Sequence, residues 1–125
     1  MGEGRDGAAN PMTWETILGN VPSKSNQYLI GQRGLYKAAT LKAYESSFYL
    51  QCNEYRNKGI DTDFSIWVKV FYPSRRADLD NSLKVILDSL QKCGAITNDR
   101  NCTKIIAERH IDRTNPRIEF AIYEG

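Results

Sequence analysis

The sequence predicts an α/β fold of the two-layer α+β type, with two helices packed on a four-stranded mixed sheet in the order β-α-β-α-β-β. Three observations support this prediction: one strictly alternating segment, two segments with apolar residues three and four positions apart, and two strand-like segments near the C-terminus. The chain has 125 residues, of which 41% are hydrophobic and 26% are charged. These values are typical of a single globular domain with its own core.

The N-terminal part of the chain predicts a leader, a strand and a loop. Residues 1–12, "MGEGRDGAANPM", contain three of the nine glycines and show no apolar periodicity, so we expect a flexible leader ahead of one domain at residues 13–125. Residues 13–21, "TWETILGNV", predict the first strand. Residues 22–34, "PSKSNQYLIGQRG", are rich in Pro, Ser, Asn and Gly and predict a loop.

Two segments have helical periodicity. Residues 35–58 predict the first helix, ended by Gly59, because apolar and aromatic side chains recur at Leu41, Tyr44, Phe48, Cys52 and Tyr55. We interpret these aromatic side chains as core rather than as a platform for stacking bases. Residues 81–92 predict the second helix, with Gly94 as its stop and a buried stripe at Leu83, Ile86, Leu87 and Leu90.

Three segments predict the remaining strands. Residues 63–72, "DFSIWVKVFY", alternate between apolar and other side chains, and Pro73 ends the strand. Residues 102–111 and 117–123 predict two more strands, joined across the turn-type sequence "DRTNP".

Composition excludes some classes of protein. The net charge of +2 is only mildly basic, so any case for nucleic-acid binding depends on where the charges lie. The three cysteines, Cys52, Cys93 and Cys102, are odd in number and lack C-x-x-C spacing, which disfavours a disulfide framework and a zinc knuckle. No apolar run approaches a membrane span and no secretion signal is evident, so we expect a cytoplasmic protein that does not enter membranes.

The stretch "RRADLDN" at residues 75–81 contains the main candidates for ligand binding and catalysis. Asp78 and Asp80 come between a buried strand and a helix, where α/β proteins usually place ligands. Asp80 lies at or beside the predicted helix N-cap, and capping alone could explain it. Asp78 lies one residue outside the predicted helix, where no backbone donor is evident for it. Asp80, Lys84 and Asp88 are four residues apart and share one helix face.

A third carboxylate, Asp99, follows the second helix, and we expect it to return to the neighbourhood of Asp78 if the flanking strands are neighbours. Three aspartates without a Cys or His ligand predict a hard cation, Mg²⁺, for which Mn²⁺ can substitute. The single histidine, His110, is interpreted as a strand-face residue. Arg75 and Arg76 would then bind the phosphates that flank the metal.

The segment "RRADLDNSLKVILDSLQKCGAITND" resembles the central motif of the RusA-type Holliday junction resolvases. The motif positions are present at Asp78, Asp80, Asn81, Lys84, Asp88, Leu90, Gly94 and Asp99. A second segment, "VPSKSNQY", is similar to the N-terminal motif of the family at Pro22, Ser23, Asn26 and Tyr28. The resemblance covers residues 13–123.

This resemblance implies a small homodimeric endonuclease, of bacterial or prophage type, that cuts branched DNA with Mg²⁺ or Mn²⁺. It implies that Asp78, Asp80 and Asp99 are catalytic metal ligands and that Lys84 is an accessory catalytic residue, with Asn81 and Asp88 as further accessory candidates. Asn98 stands where many members of the family carry the first of two acids, so we assign the ligand role to Asp99.

DNA contacts outside the acidic residues are assigned from charge, as phosphate contacts that would recognise the shape of a junction. The candidates are Arg75, Arg76, Lys24, Asn26, Lys37 and Lys69, with Arg33 and Lys104 in addition.

Three other interpretations stay open. The chain could be a DNA-binding relative that has lost cleavage through Asn98, or a phosphotransferase that uses the D-x-D pair. The acids could also be surface residues that only cap and solubilise a helix.

Overall fold

The computed structural model describes residues 13–22, 28–31, 34–37 and 39–125. In chain order, the elements are β1 Glu15–Leu18, β2 Tyr28–Gly31, β3 Gly34–Lys37, α1 Ala39–Gln51, β4 Phe64–Tyr72, α2 Leu79–Lys92, a 3₁₀ helix Asp99–Asn101, β5 Cys102–Ile111 and β6 Arg117–Glu124.

Four of these strands form one mixed sheet in the order β1-β6-β4-β5. β6 pairs antiparallel with both β1 and β4, whereas β5 pairs parallel with β4, from Phe64 opposite Cys102 to Tyr72 opposite Ile111. The predicted four-stranded mixed sheet with two helices is therefore confirmed.

The helices cover one face of this sheet. The alternation predicted for β4 is confirmed, since Phe64, Ile66, Val68, Val70 and Tyr72 are buried in the core that the helices share. The intervening residues of β4 lie on the opposite face and are partly exposed. The aromatic side chains of α1 are core, as predicted: Tyr44 and Phe48 are buried, and Phe48 stacks on Phe120 of β6.

The N-terminal half departs from the sequence prediction. Residues 28–31 are a strand rather than part of a loop, and they pair antiparallel with residues 34–37. Of these partners, residues 35–37 were predicted to be helical and residue 34 to be part of the loop. This two-stranded hairpin is separate from the main sheet. The first helix therefore begins only at Ala39, since local pairing of the backbone overrides helical periodicity at residues 35–37.

The first helix also ends earlier than predicted, and the buried carboxylate of Glu15 explains why. Its oxygens accept hydrogen bonds from the backbone N–H groups of Asn53 at 2.8 Å, Glu54 at 3.0 Å and Tyr55 at 3.3 Å. These donors therefore bind a side chain of β1 and do not continue the helix. Cys52 and Tyr55 are still buried, but in the turn after α1.

The thiol of Cys52 adds a fourth donor to Glu15, at 3.4 Å. The neighbouring Cys93 thiol, burial and the charge of Glu15 all raise the pKa of Cys52, which keeps that thiol protonated. Glu15 thus ties the first strand to the end of α1 through charge-assisted hydrogen bonds.

The second helix is longer than predicted by two residues at its start, and its buried face differs from the predicted one. Ile86 and Leu90 are fully buried as expected, together with Val85 and two serines, Ser82 and Ser89. Leu83 and Leu87 are only partly buried. Gly94 ends the helix as predicted, because its φ of +79° suits glycine and a Cβ there would lie 2.8 Å from Asn57 Oδ1.

Several predictions fall outside the described residues. They are the leader at residues 1–12, the side chains of Lys24 and Asn26, and those of Arg33 and Lys37. Within the described part of the chain, no helix has the length and apolar character needed to cross a membrane.

The substitution Glu15→Gln is expected to lower the free energy of unfolding by about 1–3 kcal/mol, because one amide oxygen cannot accept from all the donors that the carboxylate satisfies. Urea denaturation followed by circular dichroism measures the change. Glu54→Gln is the matched control, since Glu54 is exposed and its substitution leaves the Glu15 donors in place. Equal effects of the two substitutions would contradict this account of Glu15.

Candidate metal and DNA site at the start of the second helix

Asp78 caps α2, which corrects the sequence analysis in two respects. The cap is Asp78 rather than Asp80, and Asp78 does have a local donor: its Oδ1 accepts from the backbone N–H of Asp80 at 3.0 Å. Its Oδ2 accepts from the side-chain amide of Asn81 at 3.0 Å. The carboxylate of Asp78 is therefore fixed in direction, while the residue stays exposed to solvent.

A chain of buried hydroxyl groups fixes the start of α2 to the end of β4. The hydroxyl of Tyr72 donates to Ser82 Oγ at 2.8 Å, and Ser82 Oγ donates to the carbonyl oxygen of Asp78 at 3.3 Å. Burial raises the pKa of Tyr72, so the hydroxyl stays protonated and able to donate. Tyr72 of β4 thus holds the N-terminus of α2 in place through Ser82 of the helix itself.

The loop between β4 and α2 carries Arg75 and Arg76, and a residue that sequence reasoning missed holds this loop. The guanidinium group of Arg109, on β5, donates to the carbonyl oxygen of Arg75. Arg109 and Asp78 both act on the pKa of Tyr72, with opposite signs, so both charges lie near that hydroxyl. The parallel pairing of Val70 with Arg109 brings Arg109 to this end of the sheet. The role of Arg109 could have been predicted only from the order of the strands in the sheet, which the sequence does not determine.

Of the polar residues that share one face of α2, only Asp80 and Lys84 lie near Asp78, and Asp88 does not. Asp80 is the second residue of the helix and is exposed, and Lys84 follows one turn later. Asp88 lies eight residues beyond Asp80, which is about 12 Å along a helix axis. Lys84 therefore lies about one turn from the acids at the helix start, whereas Asp88 lies in the middle of the helix.

Asp99 is not brought to Asp78 and Asp80, which corrects the expectation that the three acids converge in one chain. The backbone N–H of Asp99 donates to Oε1 of Gln91 in the last turn of α2, at 3.0 Å. Asp78 and Gln91 are thirteen residues apart, which is about 20 Å along the helix. Because β4 and β5 are parallel, both strands begin at one end of the sheet and finish at the other. The chain leaves β4 at the end where Asp78 lies, and α2 returns it to the opposite end, where β5 begins.

Asn98 has a local role. It caps the 3₁₀ helix that begins at Asp99, and its side-chain oxygen accepts from the backbone N–H of Arg100 at 2.9 Å. An amide oxygen performs this role as a carboxylate would. Asp99 itself is exposed.

Lys69, which we assigned to DNA contact, lies on the sheet face opposite the helices. Its ammonium group is 5.2 Å from the centre of the Trp14 ring, in a cation–π contact. It therefore does not share a face with Asp78 and Asp80. Arg75 and Arg76 do lie in the loop that leads to these acids, and both are exposed.

An open cleft of about 510 Å³ adjoins Asp78. Its lining comes from three parts of the chain: Asn20, Val21 and Pro22 after β1, Thr40 at the start of α1, and Pro73, Ser74, Arg76, Ala77, Asp78 and Ser82 around the start of α2. The cleft is polar on the side of Asp78 and Arg76. The cleft thus places the carboxylate of Asp78 and the guanidinium group of Arg76 on one open surface.

The carboxylates at the start of α2 are candidate ligands for a metal ion. Among the described residues, no group of three or more His, Cys, Asp or Glu side chains is placed to hold one. One chain offers the pair Asp78 and Asp80, both exposed. Each oxygen of Asp78 keeps a second lone pair beyond its one hydrogen bond, which Oδ1 accepts from the backbone of Asp80 and Oδ2 from the side chain of Asn81. Two carboxylates with water and a phosphate oxygen fit Mg²⁺, whereas the described residues of one chain form no site of three carboxylates.

Comparison with known proteins gives two matches. The family described as Endodeoxyribonuclease RusA matches residues 19–123. A protein of Aquifex aeolicus (strain VF5), "Crossover junction endodeoxyribonuclease RusA", is 28% identical over 103 residues, which cover 79% of this chain and 82% of that protein. The matched residues 19–123 include all the residues that line the cleft, together with Asp78, Asp80 and Asp99.

Two substitutions at Asp78 separate its capping role from its charge. Asp78→Ala is expected to lower the free energy of unfolding by about 1 kcal/mol through loss of the cap, whereas Asp78→Asn should change it by only a few tenths, since Asn caps about as well as Asp. Thermal unfolding without metal measures both. Equal destabilisation by Ala and Asn would show that the charge, rather than the capping oxygen, stabilises the helix start.

Proposed function

Because this chain belongs to the RusA endodeoxyribonuclease family, we propose that it is a Mg²⁺-dependent Holliday junction resolvase that acts as a homodimer in DNA recombination and repair in the cytoplasm. The single observation that carries the proposal is the fixed carboxylate of Asp78 beside Asp80, at a helix start reached by a loop with two exposed arginines. The relative in Aquifex aeolicus is named for cleavage of crossover junctions. The substrate proposed here is the same class, four-way branched DNA.

Asp78 and Asp80 would hold the metal ion. Mg²⁺ bound there would supply a Lewis acid for the scissile phosphate and a water of lowered pKa for the attack. Asn81 orients the Asp78 carboxylate through its amide, and the Tyr72–Ser82 pair fixes the backbone that carries it. These contacts preorganise the acids before DNA arrives, which is the main contribution a protein makes to such a site.

The basic residues would position the phosphates. Arg75 and Arg76 offer guanidinium groups in the loop before α2, and Arg109 holds that loop through the carbonyl of Arg75. Lys84, one turn into the helix, would place an ammonium group beside the phosphate oxygens. Lys24, Asn26 and Lys37 remain proposed DNA contacts in the segment between Pro22 and Thr40, two residues that line the cleft next to Asp78.

We propose that Asp99 joins the site from the other subunit. The separation of about 20 Å along α2 supports this, because no movement short of unfolding the helix brings Asp99 to Asp78 of the same chain. A two-fold dimer with antiparallel α2 helices would place Asp99 of the partner subunit beside Asp78 and Asp80. Two such composite sites match the two symmetric incisions that junction resolution needs.

The position of Asn98 supports catalysis over the reading as a binding protein that has lost cleavage. Its side chain caps a 3₁₀ helix, and the three carboxylates proposed as ligands, Asp78, Asp80 and the exposed Asp99, are all present without an acid at position 98.

The substitutions Asp78→Asn, Asp80→Asn and Asp99→Asn are each expected to reduce cleavage of a labelled four-way junction by about a hundredfold or more, with junction binding retained, because each removes a charged metal ligand. Cleavage is measured at saturating Mg²⁺, and binding is measured in Ca²⁺. Glu54→Gln, in the turn after α1 and exposed, is the matched control and should cleave within about twofold of wild type. Full activity of the Asp78 and Asp80 variants, or no wild-type cleavage with any divalent ion, would refute the proposed function.

Mixing two inactive variants tests the composite site. The first carries Asp78→Asn with Asp80→Asn, and the second carries Asp99→Asn. In their heterodimer, one site receives Asp78 and Asp80 from the second chain and Asp99 from the first, so it is fully wild type. After refolding together, nicking should recover to about a quarter of the wild-type rate, since half of randomly assorted dimers are mixed and each has one intact site of two.

The result would differ if each site took all its acids from one chain. Every site of every dimer would then lack a ligand, and the mixture would stay as inactive as its components. Recovery of single-strand nicking without paired cleavage is the specific signature of one intact site.

A further inference from the structure

We infer that Cys52 and Cys93 form a reversible disulfide within one chain when the protein meets a hydroperoxide. The two residues lie far apart in the chain, so their spacing does not reveal them as a pair, and only the fold brings them together. The pair stands apart from the proposed nuclease site, because Cys93 lies at the end of α2 opposite Asp78 and Asp80.

The two thiols share a hydrogen bond inside the core. Cys52 follows directly after α1, and Cys93 is the C-cap of α2. Both side chains belong to one buried cluster, with exposed fractions of 0% and 2%. The thiol of Cys52 donates to the sulfur of Cys93. Sulfur atoms that are already in contact meet the first geometric requirement of a disulfide.

Backbone hydrogen bonds hold both cysteines in position. The N–H of Cys52 donates to the carbonyl oxygen of Phe48 at 2.9 Å, and the N–H of Cys93 donates to that of Ser89 at 2.9 Å. The carbonyl oxygen of Cys93 accepts from the N–H of Asn57 at 3.0 Å, which ties the end of α2 to the turn after α1. The backbone therefore keeps the two side chains beside each other before any oxidant arrives.

The two thiols differ in acidity in the way that stepwise oxidation needs. The hydrogen bond from Cys52 lowers the pKa of Cys93. The same hydrogen bond, followed by burial, raises the pKa of Cys52. Because the thiolate is the nucleophile, Cys93 is the sulfur that attacks the oxidant, and Cys52 is the sulfur that closes the disulfide.

Glu15 supplies a base for the second step. Its Oε1 accepts from the thiol of Cys52 at 3.4 Å, and the residue is 7% exposed. The other donors to this carboxylate are backbone N–H groups, which do not give up a proton. A buried carboxylate beside the second thiol can take the proton that Cys52 loses as it forms the new bond.

The reaction balances in two steps. The thiolate of Cys93 attacks one oxygen of hydrogen peroxide and the O–O bond breaks, which leaves a sulfenic acid and a hydroxide that takes up the proton Cys93 had lost. The sulfur of Cys52 then attacks the sulfur of Cys93, passes its proton to Glu15 and onward to the departing hydroxyl group, and releases a second water. Two thiols are oxidised by two electrons in total, and one peroxide is reduced to two waters. A dithiol reverses the bond by exchange.

Cys102 provides a contrast within the same chain. It begins β5 and is partly exposed, and its thiol donates to the carbonyl oxygen of Lys104 at 3.6 Å. Burial raises its pKa, and no thiol neighbour lowers it. In the cytoplasm proposed for this protein, disulfides are usually transient and respond to redox conditions, which suits a pair that starts reduced.

Peroxide oxidation of the full chain under native conditions, followed by peptide mapping, tests the pair. Wild type and Cys102→Ser should both yield a peptide that joins Cys52 to Cys93, and dithiothreitol should separate it. In denaturing urea, the shorter loop between Cys93 and Cys102 should favour that pair instead. If Cys52 and Cys93 stay reduced in the native protein while Cys102 gains oxygen, or if native and denatured chains give the same linkage, the proposed pairing is wrong.

Trapping of the intermediate tests which sulfur attacks the peroxide. In Cys52→Ser, Cys93 should accumulate as a sulfenic acid that dimedone labels. In Cys93→Ser, dimedone labelling of Cys52 should be lower by about tenfold or more, because that thiol stays protonated. Equal labelling of the two variants would overturn the assigned order. Circular dichroism checks that each variant is folded, and the mapping of wild type and Cys102→Ser stands without them.

Glu15→Gln distinguishes a base from a structural contact. Loss of the base should slow disulfide formation by about tenfold and increase the trapping of Cys93 as a sulfenic acid. If Glu15 only shields the thiols, the weakened turn would expose them and disulfide formation would be faster than in wild type. Faster formation would therefore overturn the role assigned to Glu15.

Discussion

The parallel pairing of β4 with β5 is the constraint on which the arrangement of this protein depends. Two adjacent parallel strands require a connection that crosses the length of the sheet, and α2 is that connection. The helix begins at the end of the sheet where β4 finishes, and it finishes at the opposite end, where β5 begins. Its two ends therefore carry different acids, Asp78 and Asp80 at the start and Asp99 beyond the end. The length of the helix, about 20 Å, fixes the distance between them.

Buried polar contacts hold the elements that flank this helix. The carboxylate of Glu15 gathers backbone donors from the turn after α1, and Tyr72 reaches through Ser82 to the backbone of Asp78. Both are directional contacts in an otherwise apolar core, where leaving such groups without partners would cost free energy. They place the first strand and the start of α2 with more precision than apolar packing alone. The acids of the candidate site stand on this support, while their carboxylates stay open to solvent.

The proposed dimer links these local features to function. A single chain presents two carboxylates, an arginine loop and a cleft at one end of the sheet, and Asp99 at the other end. In the proposed dimer, two-fold symmetry would convert this separation into two equal sites, because the far end of one helix would lie beside the near end of the other. The capping role of Asp78 and its proposed role as a ligand are compatible, since Oδ1 uses one lone pair for the cap and Oδ2 uses one for the amide of Asn81. Preorganised acids and a symmetric pair of sites suit an enzyme that must cut two strands of one junction.

The sequence by itself determined the fold class, the strand at residues 64–72, the core positions of Tyr44 and Phe48, and the stop at Gly94, because periodicity and glycine conformation are local properties. It also identified the motif that places this chain in its family. It did not determine where α1 ends, because the donors of residues 53–55 bind Glu15, which is nearly forty residues away in the chain. Nor did it identify Asp78 as the cap, or the role of Arg109, which only strand order brings to the loop. The convergence of Asp99 on Asp78 was predicted from adjacent strands, and the strands are adjacent. Tertiary structure decided otherwise because parallel neighbours return the chain to the opposite edge of the sheet.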